Sequence, residues 1–189
     1  GPFVTDVSGG DTIIVDGDRG IVIVHPDDET LREYDQEVRA IQAFTAELEK
    51  LRDLPAETLD GTRITIYGNI EFPHEARLCL EHGAEGIGLY RTEFLYLGRP
   101  DLPVEEDHYR AYCEVIETMG DRPVTIRTFD LGADKVAALF GFEKEPNPCL
   151  GLRSIRLALR HLELFRTQAR AILRASVVGN IQVMFPMIA

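Results

Sequence analysis

The chain has 189 residues, 44% of them hydrophobic and 28% charged, enough to bury a core in one domain or two small ones. Its 32 acidic and 20 basic residues leave a net charge of −12. That mean field repels phosphate and argues against nucleic acid or an anionic membrane as a general partner, so any anionic ligand has to be met by a local basic cluster. No apolar run approaches the roughly 18 residues needed to span a bilayer. The opening "GPFVTDVSGG" also lacks the basic and apolar regions of a secretory signal. A cytoplasmic setting, with no membrane insertion, is the expectation.

In chain order, two β-branched runs, Thr12 to Val15 and Ile21 to Val24, flank a connection with two glycines and predict a hairpin. From Thr30 to about Leu54, apolar residues recur every three or four positions, predicting one long helix capped by Thr30 and stopped by Pro55. A different rhythm follows. Strands are predicted at 63–70, 86–90, 123–130 and 180–188, with helices at 73–83, 103–120 and from Ser154 to about Ser176. Alternating strands and helices with near-continuous apolar strands predict parallel βαβ units. Four such units make half of an eight-stranded barrel, and an end at the fourth strand reads as truncation.

In parallel α/β folds, ligands sit at the carboxyl ends of the strands. The polar residues there are Asn69, Arg91, and Arg127 with Asp130; Arg153 stands on a loop leading into a helix. Arginines arriving from different connections suit a phosphorylated ligand, because each guanidinium presents a planar fork of donors. The bland alternative is local ion pairing, Arg91 with Glu93 and Arg127 with Asp130. Asp134 and Lys135 follow as loop-shaping or supporting residues. Cys79, Cys113 and Cys149 have no ligand spacing, and the first and second read as small buried hydrophobes. The five histidines also lack ligand spacing, and His108 and His161 fall on helices that look exposed.

The blocks "GAEGIGLYRTEFLYLGR", "IRTFDLGADK", "NPCLGLRSIR" and "RAILRAS", the last followed by "IQVMFPMI", together resemble enzyme I of the bacterial phosphoenolpyruvate (PEP)-dependent sugar phosphotransferase system. The earlier "GGDTIIVDGDRGIVIVHPDDETLREY" looks like the end of that family's swivelling phosphohistidine domain. The resemblance implies a tail of that domain at residues 1–27 and a linker helix at 28–57. Residues 58–189 would be the first half of a TIM-type (β/α)8 PEP-binding barrel. It also implies PEP and Mg²⁺ at the barrel's carboxyl face, with the phosphoryl group passing to a histidine and then to the carrier protein HPr.

Carried over by position, Arg91 and Arg127 would contact the phosphoryl group, and Arg153 would be a further PEP ligand. Asn69, Asp130 and Lys135 would support them. Ala133 stands where the family usually has a second glycine, which puts the loop path in question. The resemblance places the phosphorylated histidine upstream of this chain, and the metal-binding carboxylates and the proton-donating cysteine downstream. The chain would then hold no catalytic residue and no metal ligand, and would not turn over alone. Pyruvate phosphate dikinase and PEP synthase are the related alternatives. A rival of another class is a non-catalytic module whose unpaired strand edges associate, giving a homodimer.

Overall fold

The two β-branched runs pair with each other as predicted. In the computed structural model, which describes residues 7–132, 147 and 150–188, β1 (Ile13–Asp16) and β2 (Ile21–Val24) form an antiparallel hairpin with Ile13 opposite Val24. Helix α1 (Asp28–Glu49) follows. Arg19 in the hairpin turn forks onto Glu37 of α1 at 2.7 and 3.2 Å, while Tyr34 donates to Asp16 at 3.1 Å. No α1 residue is buried.

The predicted ends of α1 need correction. Asp27, not Thr30, is the N-cap, and its carboxylate accepts from the Thr30 N–H at 2.8 Å. Thr30 is thus the third helical residue and the donor in the cap. At the other end the bonds tighten before any proline. Lys50 donates to Glu47 and Leu51 to Leu48, so the helix closes well short of Pro55. The described residues divide into two units between Leu51 and Arg52.

In the second unit, β3 (Gly68–Ile70), β4 (Ile87–Tyr90), β5 (Val124–Arg127) and β6 (Ile181–Met184) form a parallel sheet in sequence order. Helices α2 (Glu75–Glu81), α3 (Glu105–Met119), α4 (Ser154–Arg160) and α5 (Leu162–Ala175) intervene. One core joins the strands' Ile70, Ile87, Tyr90, Val124 and Ile126 to the apolar stripes of α3 and α5. Cys113 belongs to it; Cys79 is half-buried, and burial raises its thiol pKa. Cys149 lies outside the described residues.

Several predicted elements are shorter than expected: the strands at 123–130 and 180–188 each reduce to four residues and the helix at 73–83 to seven, and two further differences have a local cause. Only the last residues of 63–70 join the sheet, because Arg63 and Ile64 are spent on a local turn. Glu57 bridges Arg63, and Ile64 donates to the Ala56 carbonyl. The predicted long helix from Ser154 breaks at His161 (φ −119°, ψ 66°). Its apolar period runs through the break unaltered, which hides it from a periodicity reading. Charge marks it better: Arg160 suits the C-terminal dipole of α4 and Glu163 the N-terminal dipole of α5.

Helix α2 ends in a Schellman motif, with Gly83 donating to Leu80 and Ala84 to Cys79. Gly83 has φ +81°, and a Cβ there would collide with the Arg52 carbonyl oxygen. Gly83→Ala is therefore expected to destabilise the chain by about 2 kcal/mol. Urea unfolding checks this, and a loss below about 0.5 kcal/mol would show that the backbone relaxes freely.

Candidate anion-binding site

The parallel register brings charge to one edge. Tyr90 pairs with Ile126, so Arg91 and Arg127 each lie one residue further along, level with each other at the carboxyl ends of β4 and β5. Arg127 also pairs with Met184 of β6. Asn69 lies inside β3 opposite Leu89, below that level, and is exposed.

Arg127, Asp130 and Arg153 meet in one cluster. Their side chains are 19%, 16% and 24% exposed, partly withdrawn from water but reachable by a ligand. Asp130 Oδ1 accepts from Arg153 Nε at 3.0 Å and Nη2 at 2.9 Å, and from the Ser154 hydroxyl. Its Oδ2 lies 3.4 Å from Arg127 Nη1. Burial would raise the Asp130 carboxyl, but the Ser154 and Arg153 hydrogen bonds and the two guanidinium charges outweigh it and hold the pKa below its ordinary value.

The backbone enforces this meeting. Gly132 bridges Arg153, and Ser154 donates its N–H to the Leu131 carbonyl at 3.1 Å. These contacts hold Ser154 at φ +52°, a left-handed conformation that costs a residue with a Cβ about 1 kcal/mol or more.

Glu93, expected beside Arg91, is instead the partner of Arg127. It lies in a short 3-10 turn (Glu93–Leu95) just past β4. Its Oε1 accepts from Arg127 Nη2 at 3.1 Å and from the Asp130 N–H at 2.6 Å. The local pairing expected for Arg91 with Glu93 is therefore not formed; Arg127 takes the carboxylate instead. Arg91 is exposed, and among the described residues its side chain makes no salt bridge or hydrogen bond. Asp134 and Lys135 lie outside the described residues, as does Ala133.

Behind the cluster runs a buried polar chain. Gln168 of α5 reaches Thr92, Tyr112 and the Phe129 N–H, and Tyr112 continues to His108 and Tyr96. His108 is fully buried, which corrects the expectation of an exposed helix face. The available signal was a lone polar residue on an apolar stripe: His108 with Ala111, Tyr112 and Val115, and Gln168 with Leu164, Ala171 and Ala175.

The cluster can neutralise and orient an anion. Within the cluster Arg127 and Arg153 balance Glu93 and Asp130, and Arg91, level beside it, adds a further positive charge to this edge; a guanidinium stays charged at any ordinary pH. It does not suit a metal. Glu93 and Asp130 are committed to guanidinium and N–H donors, and among the described residues no three His, Cys, Asp or Glu side chains converge. No helix among the described residues is long and apolar enough to cross a membrane.

An arginine-rich edge at the carboxyl ends of a parallel sheet is the setting in which α/β enzymes hold phosphorylated ligands. Residues 45–189 match the family model described as "PEP-utilising enzyme, PEP-binding domain", and the chain belongs to that family. It is 48% identical over 184 residues to the phosphoenolpyruvate-protein phosphotransferase of Geobacillus stearothermophilus. It is 47% identical over 184 residues to that of Staphylococcus carnosus (strain TM300) and 47% over 183 residues to that of Bacillus subtilis (strain 168). Each alignment covers 97% of this chain and 32% of the relative, so the chain spans about a third of the length of these curated relatives.

Proposed function

We propose that this chain is a segment of a phosphoenolpyruvate-protein phosphotransferase of the enzyme I type, and that it supplies part of the cradle for the phosphoryl group of PEP. The observation that carries the reading is the convergence of Arg127 and Arg153 on Asp130, with Arg91 level beside them at the carboxyl edge of the sheet. The family match and the printed names of the relatives support PEP as the ligand over other phosphorylated anions, and favour the protein phosphotransferase over the dikinase alternative.

In this reading the four-stranded sheet is the first half of a (β/α)8 barrel, and the hairpin with α1 is the tail of the phosphohistidine domain and its linker. Arg91 and Arg127 hold phosphoryl oxygens, Arg153 adds a further fork, and Asn69, Asp130 and Lys135 support them. Phosphoryl transfer needs positioning and charge neutralisation more than covalent help from the scaffold. The whole protein would use Mg²⁺ held by residues other than those described, pass the phosphoryl group from PEP to a histidine and then to HPr, act in the cytoplasm in sugar uptake, and pair as a homodimer. None of the cradle residues takes a proton or forms a bond; they bind and orient.

The test is calorimetric titration of PEP into this chain and into Arg127→Ala, at low and moderate salt. Saturable binding is expected, weaker at the higher salt because part of the attraction is screened. The variant should lose at least about tenfold in affinity, as expected for a charge-assisted hydrogen bond. Equal affinity in both would remove Arg127 from the cradle, and no binding by either would make the segment structural.

A further inference from the structure

Gln168 is fully buried, and a buried amide is costly unless its groups are bonded. Oε1 accepts from the Phe129 N–H at 3.0 Å, and Nε2 donates to Thr92 Oγ1 and to the Tyr112 hydroxyl, each at 3.0 Å. The Phe129 N–H can only donate, which fixes the amide with its oxygen on that side. Thr92 is itself fully buried, and its hydroxyl passes its one proton to the Arg127 carbonyl at 3.1 Å.

One side chain in the helix layer thus ties the exit of β4 to the exit of β5. On the strand side, each residue fixed in this way adjoins or belongs to the anion cluster, while Tyr112 anchors the amide to α3. Thr92 precedes Glu93, Phe129 precedes Asp130, and Arg127 is held by its own carbonyl.

We propose that Gln168 is a positioning residue: through Thr92 and Phe129 it sets the spacing between Glu93 and the Arg127–Asp130 pair, and so pre-orients the guanidinium for a phosphate-bearing ligand. This rests on the cradle reading above. Leucine would fill the same place on the apolar stripe without burying an amide, so simple packing does not call for glutamine. An acceptor and two donors aimed at three separate elements do.

The test uses Gln168→Leu, Thr92→Val, which is nearly isosteric, and Thr92→Ser, which keeps the hydroxyl. Two readouts are taken on each chain: PEP affinity by calorimetry, and hydrogen exchange of the Asp130 amide, which is bonded to Glu93 and not to Gln168. Gln168→Leu and Thr92→Val are expected to weaken PEP binding about tenfold and to speed Asp130 exchange by at least about tenfold. The Val115 and Ile116 amides inside α3 should keep their rates, and Thr92→Ser should stay near the parent in both readouts.

Unchanged Asp130 exchange in Thr92→Val, or unchanged affinity in a chain that does bind PEP, would overturn the proposal. So would equal acceleration at Val115 and Ile116, which would signal general loosening. If the parent chain binds no PEP, the cradle reading fails, and Asp130 exchange alone then decides the positioning role. If Gln168→Leu does not fold, the Thr92 pair carries the same decision.

Discussion

Replacing Glu93 with alanine is expected to destabilise the second unit by about 3 kcal/mol, the cost typical of breaking a buried ion pair by removing one partner. Two groups lose their acceptor at once. Arg127 Nη2 loses its Glu93 acceptor, leaving only the Nη1 contact to Asp130, and the Asp130 N–H, now bonded at 2.6 Å, loses its acceptor as well. The Glu93 side chain is only 9% exposed, so water cannot readily take over. Glu93→Gln keeps one acceptor oxygen without the charge and should fall between the alanine variant and the parent. Denaturant unfolding measures both. A loss under about 1 kcal/mol in Glu93→Ala would mean that the cluster relaxes onto Asp130 and that Glu93 is a rim contact.

Acid should destabilise the chain from below neutrality, well above the range in which carboxylates protonate, and His108 is the reason. Burial pushes its pKa down from the ordinary 6.5 to about 4; nearby Asp107 works against the shift and Arg99 with it. Its ring nitrogens lie 2.9 Å from the Tyr112 hydroxyl and 3.3 Å from that of Tyr96, both neutral groups. Burial raises the pKa of both tyrosines, so neither offers a counter-charge. Between pH 6.5 and about 4 the unfolded chain binds a proton that the folded chain refuses. Stability therefore falls as pH drops through that window, by roughly 3 kcal/mol in all, and the loss levels off below it.

His108→Gln retains a polar group without the titration. Its stability should be nearly flat between pH 7 and 5, whereas the parent loses roughly 2 kcal/mol over the same interval. Denaturant midpoints at stepped pH values read this directly, and parallel curves would rule out His108 as the acid-sensitive group. Asp130 acts in a separate range. Its pKa is depressed, so the stability it contributes is present above the ordinary carboxylate range and is lost as pH falls through its lower folded pKa.

His108 belongs to the buried polar chain and Asp130 to the charged cluster in front of it, and the arrangement of the two bears on function. Arginines that bind an anion must not collapse onto stray carboxylates or swing into solvent. Glu93 and Asp130 hold Arg127 from two directions, while Asp130 also engages Arg153. On the proposed cradle reading, these side chains are ordered before a ligand arrives, which would lower the entropy lost on binding.

What the sequence by itself determined is the periodic part. Two β-branched runs around a turn rich in glycine made a hairpin, and alternating apolar strands and amphipathic helices made a parallel sheet with helices on it. The carboxyl-end rule then picked out Arg91, Arg127 and Asp130 without coordinates, along with Asn69, which lies inside β3 below their level. These features depend on local sequence, where period, turn chemistry and strand polarity suffice.

Tertiary structure decided who pairs with whom. Glu93 is two residues from Arg91 in sequence but pairs with Arg127, because the 3-10 turn after β4 carries it toward β5. Arg153 reaches Asp130 only because Gly132 pairs with Arg153 and Leu131 with Ser154, at the start of α4. His108 was expected on an exposed helix face and Gln168 was not singled out, and only packing revealed both as buried and bonded. The break at His161 escaped for the same reason: apolar spacing continues through it, and only the packed core shows where the chain turns. Spacing along a chain reports which face a residue occupies, whereas the partner it meets depends on elements tens of residues away.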